Sequence, residues 1–317
     1  MIDIDLVAGK LPNDSNIKKV NIKIIAYPDG TKSHVLEFPK LCPSDYTAII
    51  NYYYESPVDY LDIVSIVTTL KEQHFIRRIE LIIYYMPNAR MDRVKNRYET
   101  FTLKAFTSLI NSLPIDSVYV FDPHSPVSEL LLDKATMFNK ETMDKALITT
   151  LNRHISNELG SKKLYIAFPD VGAQKRYMDI IDRCSFKNNI LGIFIGEKIR
   201  DWATGEIIGV KVKYNGDNGF EDNVPIVIID DICSKGGTFK SFIRAIQNRW
   251  VKDFNYYLYV SHLEPAVLEG DLLKDGSLNL LKILTTDSLK YLWMSRGLDI
   301  EKHEKIQLLI GDKNDKI

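Results

Sequence analysis

The sequence predicts an α/β protein of two similar halves, each a central, mostly parallel sheet flanked by helices. Three observations predict it. Short runs of aliphatic and β-branched residues alternate with longer helical patterns along most of the chain, the mark of strand–helix–strand units covered on both faces. The alternation restarts at Leu164 after a helical stretch, which sets a boundary near residue 147 and halves of 1–147 and 148–317. Charged residues directly follow several of the apolar runs, at the strand ends where open α/β sheets bind ligands. A chain of 317 residues is long enough for two cores of ordinary size. No Pro/Gly linker marks the boundary, and no repeat is visible residue by residue.

In chain order, Val20–Ala26 and Ser33–Phe38 are expected strands around the turn Pro28-Asp29-Gly30. Tyr60–His74 is an expected helix, with apolar spacing at Leu61, Val64, Val67 and Leu70 and a β-branched content that works against it. Ile79–Tyr85 is an expected buried strand, Phe101–Leu113 a helix and Ser117–Phe121 the next strand. Met143–Leu159 is an expected helix, followed by a strand at Leu164–Phe168, a helix over Ala173–Cys184 and a strand at Leu191–Ile195. Strands at Ile226–Ile229 and Tyr256–Val260 flank a helix at Phe239–Asn248.

Composition excludes more than it selects. With a net charge of −1, 45% hydrophobic and 26% charged residues, nothing suggests bulk electrostatic binding to nucleic acid or membrane. No apolar run approaches the length of a membrane span, and the first twenty residues carry Asp3, Asp5 and Asp14 instead of a signal-peptide core. Cys42, Cys184 and Cys233 have no metal-ligand spacing, which suits a reducing cytoplasm. Cys233 is read as a packed thiol in preference to a reactive one.

The densest signal is Ile226-Val-Ile-Ile-Asp230-Asp231-Ile-Cys-Ser234-Lys235-Gly236-Gly237-Thr238-Phe239. Two carboxylates stand at the end of a buried strand, and a glycine turn leads into a helix. Glycines let backbone amides approach a phosphate, and the helix N-terminus favours negative charge. An adjacent acid pair can take ribose hydroxyls or a metal. Neither GxxxxGK[ST] nor a strand-following GxGxxG occurs, which sets aside the P-loop and dinucleotide readings. The bland alternative is a tight strand–turn–helix connection with solvated acids.

This segment resembles the ribose-5-phosphate signature of type I phosphoribosyltransferases and of phosphoribosyl diphosphate (PRPP) synthases. Other segments resemble the synthases in family order. They are Tyr27-Pro28-Asp29-Gly30, Pro87-Asn88-Ala89-Arg90-Met91-Asp92-Arg93, Val120-Phe121-Asp122-Pro123-His124-Ser125, Phe168-Pro169-Asp170-Val171-Gly172 with Lys175-Arg176, Glu197-Lys198-Ile199-Arg200, and Leu284-Thr285-Thr286-Asp287-Ser288. Each match is weak alone, but the set covers nearly the whole chain. The resemblance implies two domains of the type I phosphoribosyltransferase fold. It also implies an enzyme of the ribose-phosphate diphosphokinase class, which moves the β,γ-diphosphoryl group of ATP to the anomeric hydroxyl of ribose 5-phosphate.

The resemblance also implies roles. Arg90, Asp92 and Arg93 would bind ATP, where guanidinium forks match phosphate oxygens; solvated loop charges are the alternative. Tyr27 and Asp29 would reach the adenine of ATP on a neighbouring subunit, or simply form a hairpin turn. His124 and Asp170 would hold Mg²⁺, which prefers few protein ligands plus substrate phosphates and water. Lys198 and Arg200, expected to open an irregular mobile loop over 201–209, would stabilise the transition state of diphosphoryl transfer. Asp230 and Asp231 would hold the ribose hydroxyls, and Ser234, Lys235, Gly236, Gly237 and Thr238 the 5-phosphate. A shared ATP site implies at least a homodimer, and the family is often hexameric.

Three departures stand out. Met91 replaces a family glutamine and Thr31 a family glutamate, which alters the expected nucleotide contacts. Ser234 and Lys235 stand where the synthase pattern has Asp and Thr, making the loop about two charges more positive. That charge would suit a more anionic acceptor such as ADP-ribose, a step toward NAD; drift with a solvent-facing Lys235 is the alternative. A phosphoribosyltransferase and a non-catalytic regulatory homologue complete the field. The loop cations argue against the second, and the Arg90, His124 and Lys198 set against the first.

Overall fold

The computed structural model describes residues 2–8, 17–41, 46–56, 59–133, 140–200, 207–216, 219–221, 223–250 and 252–309. These divide into two units, Met1–Lys140 and Glu141–Ile317. Both are α/β, with a mixed sheet in each.

The first unit contains β1 (Ile2–Ala8), β2 (Ile17–Ala26), β3 (Lys32–Glu37), β4 (Tyr46–Tyr52), α1 (Asp59–Lys71), β5 (Ile76–Ile83), α2 (Thr102–Ser112), β6 (Ser117–Val120) and the short α3 (Val127–Leu130). The sheet order is β3-β2-β1-β4-β5-β6. β4, β5 and β6 are parallel and are linked through α1 and α2, as the alternating pattern requires. β1, β2 and β3 add antiparallel partners on the other side. The antiparallel part exceeds the sequence expectation, because β1 and β4 were not among the expected strands. In β4 the buried residues Tyr46, Ala48, Ile50 and Tyr52 alternate along the strand. From α1, Ile63, Ile66, Val67 and Leu70 are buried, so a helical stripe overrides the poor propensity of its β-branched residues. Leu103, Phe106 and Ile110 of α2 complete this core.

The second unit contains α4 (Lys140–Leu159), β7 (Leu164–Phe168), α5 (Val171–Ile181), β8 (Ile190–Arg200), β9 (Ile207–Gly216), β10 (Ile226–Cys233), α6 (Gly237–Trp250), β11 (Tyr256–Leu263), β12 (Leu280–Thr286), α7 (Lys290–Ser295) and β13 (Ile306–Leu309). The sheet order is β13-β12-β11-β10-β7-β8-β9. All neighbours are parallel except β8 and β9, which form a hairpin. β7 is buried along its whole length and β10 from Ile226 to Ile229, as central strands covered on both faces must be. Ala173, Tyr177, Ile180 and Ile181 of α5, and Phe239, Phe242, Ile243 and Ile246 of α6, supply apolar stripes.

This order contains a topological switch. From β7 the chain moves outward through β8 and β9, then returns to place β10 on the other side of β7 and proceeds through β11, β12 and β13. The crevice at the carboxyl ends of β7 and β10 is where such a sheet binds ligands.

Two strands run further than the sequence indicated. β10 continues through both acids to Cys233, and β8 continues through Lys198 to Arg200 instead of giving way to an irregular stretch. The reason is the ladder with β9, in which Lys198 pairs with Val210 and Arg200 with Ile207, satisfying backbone groups that a loop would leave to water. Residues 201–206 of the expected loop, and the side chain of Arg200, lie outside the described residues. Among the described residues, no helix is long and apolar enough to cross a membrane.

Candidate active site

The switch point of the second unit gathers Asp170, Lys198, Asp230 and Asp231. Asp170 follows β7 through Pro169 and caps α5, its Oδ1 accepting from the Ala173 amide at 3.0 Å. Its Oδ2 accepts from Lys198 Nζ at 2.7 Å. Burial pushes the Asp170 carboxyl up, but the Lys198 ammonium and the α5 amides outweigh it and hold the group below its usual value. The contact depends on Gly196. A Cβ there would stand 2.3 Å from the Pro169 carbonyl oxygen, so only glycine lets β8 pass this close to the β7–α5 turn.

Asp230 and Asp231 lie on β10 beyond its pairing with β7, which ends at Ile228, while β11 still supports them. The Asp231 amide donates to Asp230 Oδ1 at 3.0 Å. Burial pushes the Asp230 carboxyl well above its ordinary value, and the charges of Asp231 and Asp170 push the same way. Asp231 is 4% exposed, with Arg176 Nη1 of α5 at 3.9 Å from its Oδ2. Arg176 was not among the candidate residues. The available signal was the Lys175-Arg176 pair of the resembling segment at Asp170, to which the resemblance attached no role. Crowded carboxylates of this kind are satisfied by hydroxyl donors or a cation, which is the chemistry of a ribose diol or a metal-bound one.

The loop after β10 has the geometry of an anion cradle. Gly236 has φ +82°, and a Cβ there would meet the Leu272 side chain at 2.6 Å, so both backbone and packing require glycine. α6 begins at Gly237, and the first amides of a helix have no partner within it. Thr238 lies exposed on this first turn, Ser234 is half-buried and Lys235 is exposed. Lys235 Nζ is 3.1 Å from Glu269 Oε2.

The first unit brings together the loops that follow β5 and β6. Asn88 turns the chain at φ +61°, with its carbonyl accepting from the Met91 amide and its side chain donating to Tyr60. Asp92 Oδ2 accepts from Ser125 Oγ at 2.9 Å, which ties the Arg90–Arg93 turn to the turn carrying His124. Asp92 thus has a positioning contact in addition to the ATP role expected of it. Arg90 and His124 are exposed, and Arg93 is 82% exposed with Asp92 at 3.7 Å. Tyr27 and Asp29 stand on the β2–β3 turn, and the sheet order separates that turn from β5 and β6 by two strands, β1 and β4. Asp29 Oδ1 accepts from both the amide and the hydroxyl of Thr31, at 2.9 and 2.7 Å. The Thr31 hydroxyl is the main reason the Asp29 carboxyl lies below its usual value. The departure at Thr31 therefore closes the turn on itself.

Among the described residues, no group of three or more His, Cys, Asp or Glu side chains could hold a metal ion. The oxygen-rich acids of the second unit fit a hard cation that brings most of its ligands with it, as Mg²⁺ on a nucleotide does.

No family model matches the chain. Its sequence is 23% identical over 256 residues to the ribose-phosphate pyrophosphokinase of Sulfurisphaera tokodaii, covering 76% of this chain and 79% of the relative. It is 27% identical over 224 residues to the Pyrococcus abyssi protein of the same name, covering 69% and 68%. The Methanobrevibacter smithii protein of that name is 22% identical over 294 residues, covering 89% and 90%. In fold the chain is similar to the phosphoribosylpyrophosphate synthetase of Mycobacterium smegmatis, with a TM-score of 0.61 at 14% identity, covering 92% of this chain and 86% of that one. By sequence the chain is similar to ribose-phosphate pyrophosphokinases, a class of transferases, and its α/β fold is similar to that of phosphoribosylpyrophosphate synthetase.

Proposed function

We propose that the protein transfers the β,γ-diphosphoryl group of Mg-ATP to ribose 5-phosphate, giving PRPP and AMP. The observation that carries this reading is the acid pair Asp230–Asp231 at the switch point, followed directly by a glycine-rich helix N-terminus. Asp230 and Asp231 hold the ribose hydroxyls, and Ser234 to Thr238 hold the 5-phosphate. The anomeric oxygen bonds to the β-phosphorus, the bond from that phosphorus to the α–β bridging oxygen breaks, and AMP leaves as the anomeric proton is released. Lys198 and Arg200 stabilise the charge that develops on the transferring group. Arg90, Asp92 and Arg93 recognise the nucleotide, and His124 and Asp170 would be the residues that hold its Mg²⁺. Tyr27 and Asp29 serve the nucleotide of a neighbouring subunit, so the working form is at least a homodimer. The protein acts in the cytoplasm.

A second reading has the same chemistry on ADP-ribose, giving a 1-diphosphate that could serve NAD synthesis. The exposed Lys235 ammonium in the phosphate loop favours it, since it adds a cation where a longer 5-substituent would run. Purified protein incubated with Mg-ATP and either sugar, with AMP and product mass as readouts, tests both. AMP with PRPP supports the first reading, and AMP with ADP-ribose alone supports the second. No AMP with either overturns both and favours a phosphoribosyltransferase or a regulatory role.

A further inference from the structure

Resting on the reading of Ser234 to Thr238 as the acceptor's phosphate loop, we propose that Glu269 sets acceptor affinity by holding Lys235 away from the 5-phosphate. Lys235 stands inside the loop, between Ser234 and Gly236. Its Nζ is 3.1 Å from Glu269 Oε2, and the two side chains are 67% and 57% exposed. Such a pair is weak, because water screens both charges and two long side chains give up rotamer freedom to meet. A phosphate dianion seated on the adjoining amides is a stronger partner for the ammonium than one solvated carboxylate. Lys235 therefore changes partners when the acceptor arrives, and Glu269 competes with the acceptor for it.

Two further features give Glu269 this role. The next residue, Gly270, runs so close to the loop that a Cβ there would stand 2.0 Å from the Lys235 carbonyl oxygen. The backbone beside Glu269 is thus held in register with Lys235. The acids that follow have cations of their own: Asp271 meets Lys240 at 2.9 Å, and Asp275 meets Lys240 at 3.7 Å and Arg244 at 2.9 Å. The segment is pinned to α6 by these contacts, which leaves Glu269 as the acid that faces the phosphate loop's lysine.

The test measures acceptor KM for the wild-type protein, Glu269→Gln, Lys235→Met and the double variant, with AMP release as readout and both ribose 5-phosphate and ADP-ribose as acceptors. Glu269→Gln lowers acceptor KM about fivefold, the scale of one exposed ion pair. Lys235→Met raises it. The double variant matches Lys235→Met, because Glu269 acts only through Lys235. KM for ATP is the same in all four, and Glu269→Asp behaves as wild type. A Glu269→Gln KM equal to or above the wild-type value, or a drop that persists in the double variant, overturns the inference and leaves diphosphoryl transfer standing. Failure of the wild-type protein to release AMP with either acceptor overturns the transfer reading and this inference with it.

Discussion

Lys198 Nζ rests 2.7 Å from Asp170 Oδ2, so the cation proposed for the transition state is held by the carboxylate that caps α5. The two come from neighbouring parallel strands of one sheet: the turn after β7 and the far part of β8. A lysine held by one carboxylate is positioned, and it can turn to phosphate when ATP arrives. Lys198→Ala is expected to lower kcat by about 10²–10³ with KM for ATP changed little, the pattern of a contact made in the transition state. Steady-state kinetics at saturating acceptor check this, and an unchanged kcat removes Lys198 from that role.

Asp230 carries a cost that function explains. Its folded carboxyl titrates above the unfolded value of 3.8, first through burial and then through Asp231. As pH rises from 3.8 through the raised folded value, the unfolded chain releases its proton first and the folded state loses stability. Above that window Asp230→Asn is expected to be more stable than wild type, with a thermal midpoint higher at pH 8 but not at pH 3. The same variant is expected to bind the acceptor poorly. A lower midpoint at pH 8 would contradict the buried-charge account.

His154 of α4 gives the opposite pH signature. Its ring is fully buried against Tyr259, with Nε2 at 3.1 Å from the Thr285 carbonyl. Nδ1 has no partner among the described residues. Burial depresses its pKa from 6.5 to about 4, since a second proton would place an unbonded N–H in the core. The unfolded chain takes up that proton as pH falls through 6.5, so stability is intact above 6.5 and declines down to about 4. The loss at pH 5 is about 2 kcal/mol. Urea unfolding of wild type and His154→Gln at pH 7 and pH 5 checks it: the variant loses less stability between the two.

Gly236→Ala is expected to disrupt the phosphate loop twice over, through its positive φ and through collision with Leu272. The cost is about 1–3 kcal/mol. Leu272→Ala in the same chain leaves the Leu272 Cβ 2.6 Å from the added methyl and opens a cavity at a buried leucine, so it restores none of the thermal midpoint. Full restoration would show that packing alone excludes a side chain at this position.

Much of this architecture was legible in the sequence, for identifiable reasons. The run Ile226–Ile229 announces a strand buried on both faces, although the strand carries on through the two acids to Cys233. Leu164–Phe168 is read to the residue, because five apolar residues are bounded by a lysine pair and Pro169. β1 is hidden in the sequence because Asp3 and Asp5 interrupt it. Asp5 is nonetheless buried, accepting from Asn51 at 3.3 Å and lying 3.1 Å from Lys19. A satisfied buried carboxylate cannot be told from a solvated one by sequence. Of the irregular stretch expected over 201–209, Ile207 to Gly209 belong to β9, whose pairing with β8 the sequence does not reveal. At the site, the residue types were legible, but Arg176 beside Asp231 and Glu269 beside Lys235 are contacts between distant segments that only the fold creates.

Gly196 has no side chain, and the place where one would begin is filled by the carbonyl of Pro169. A methyl group there would act as a spacer, driving the β7–α5 turn and its Asp170 off β8 without changing the identity of any charged or polar group of the chemistry. The separation of Lys198 from Asp170, two residues further along, is therefore set by a hydrogen atom. Position 196 offers a way to vary the reach of the lysine without touching its charge, and so to weigh distance against identity.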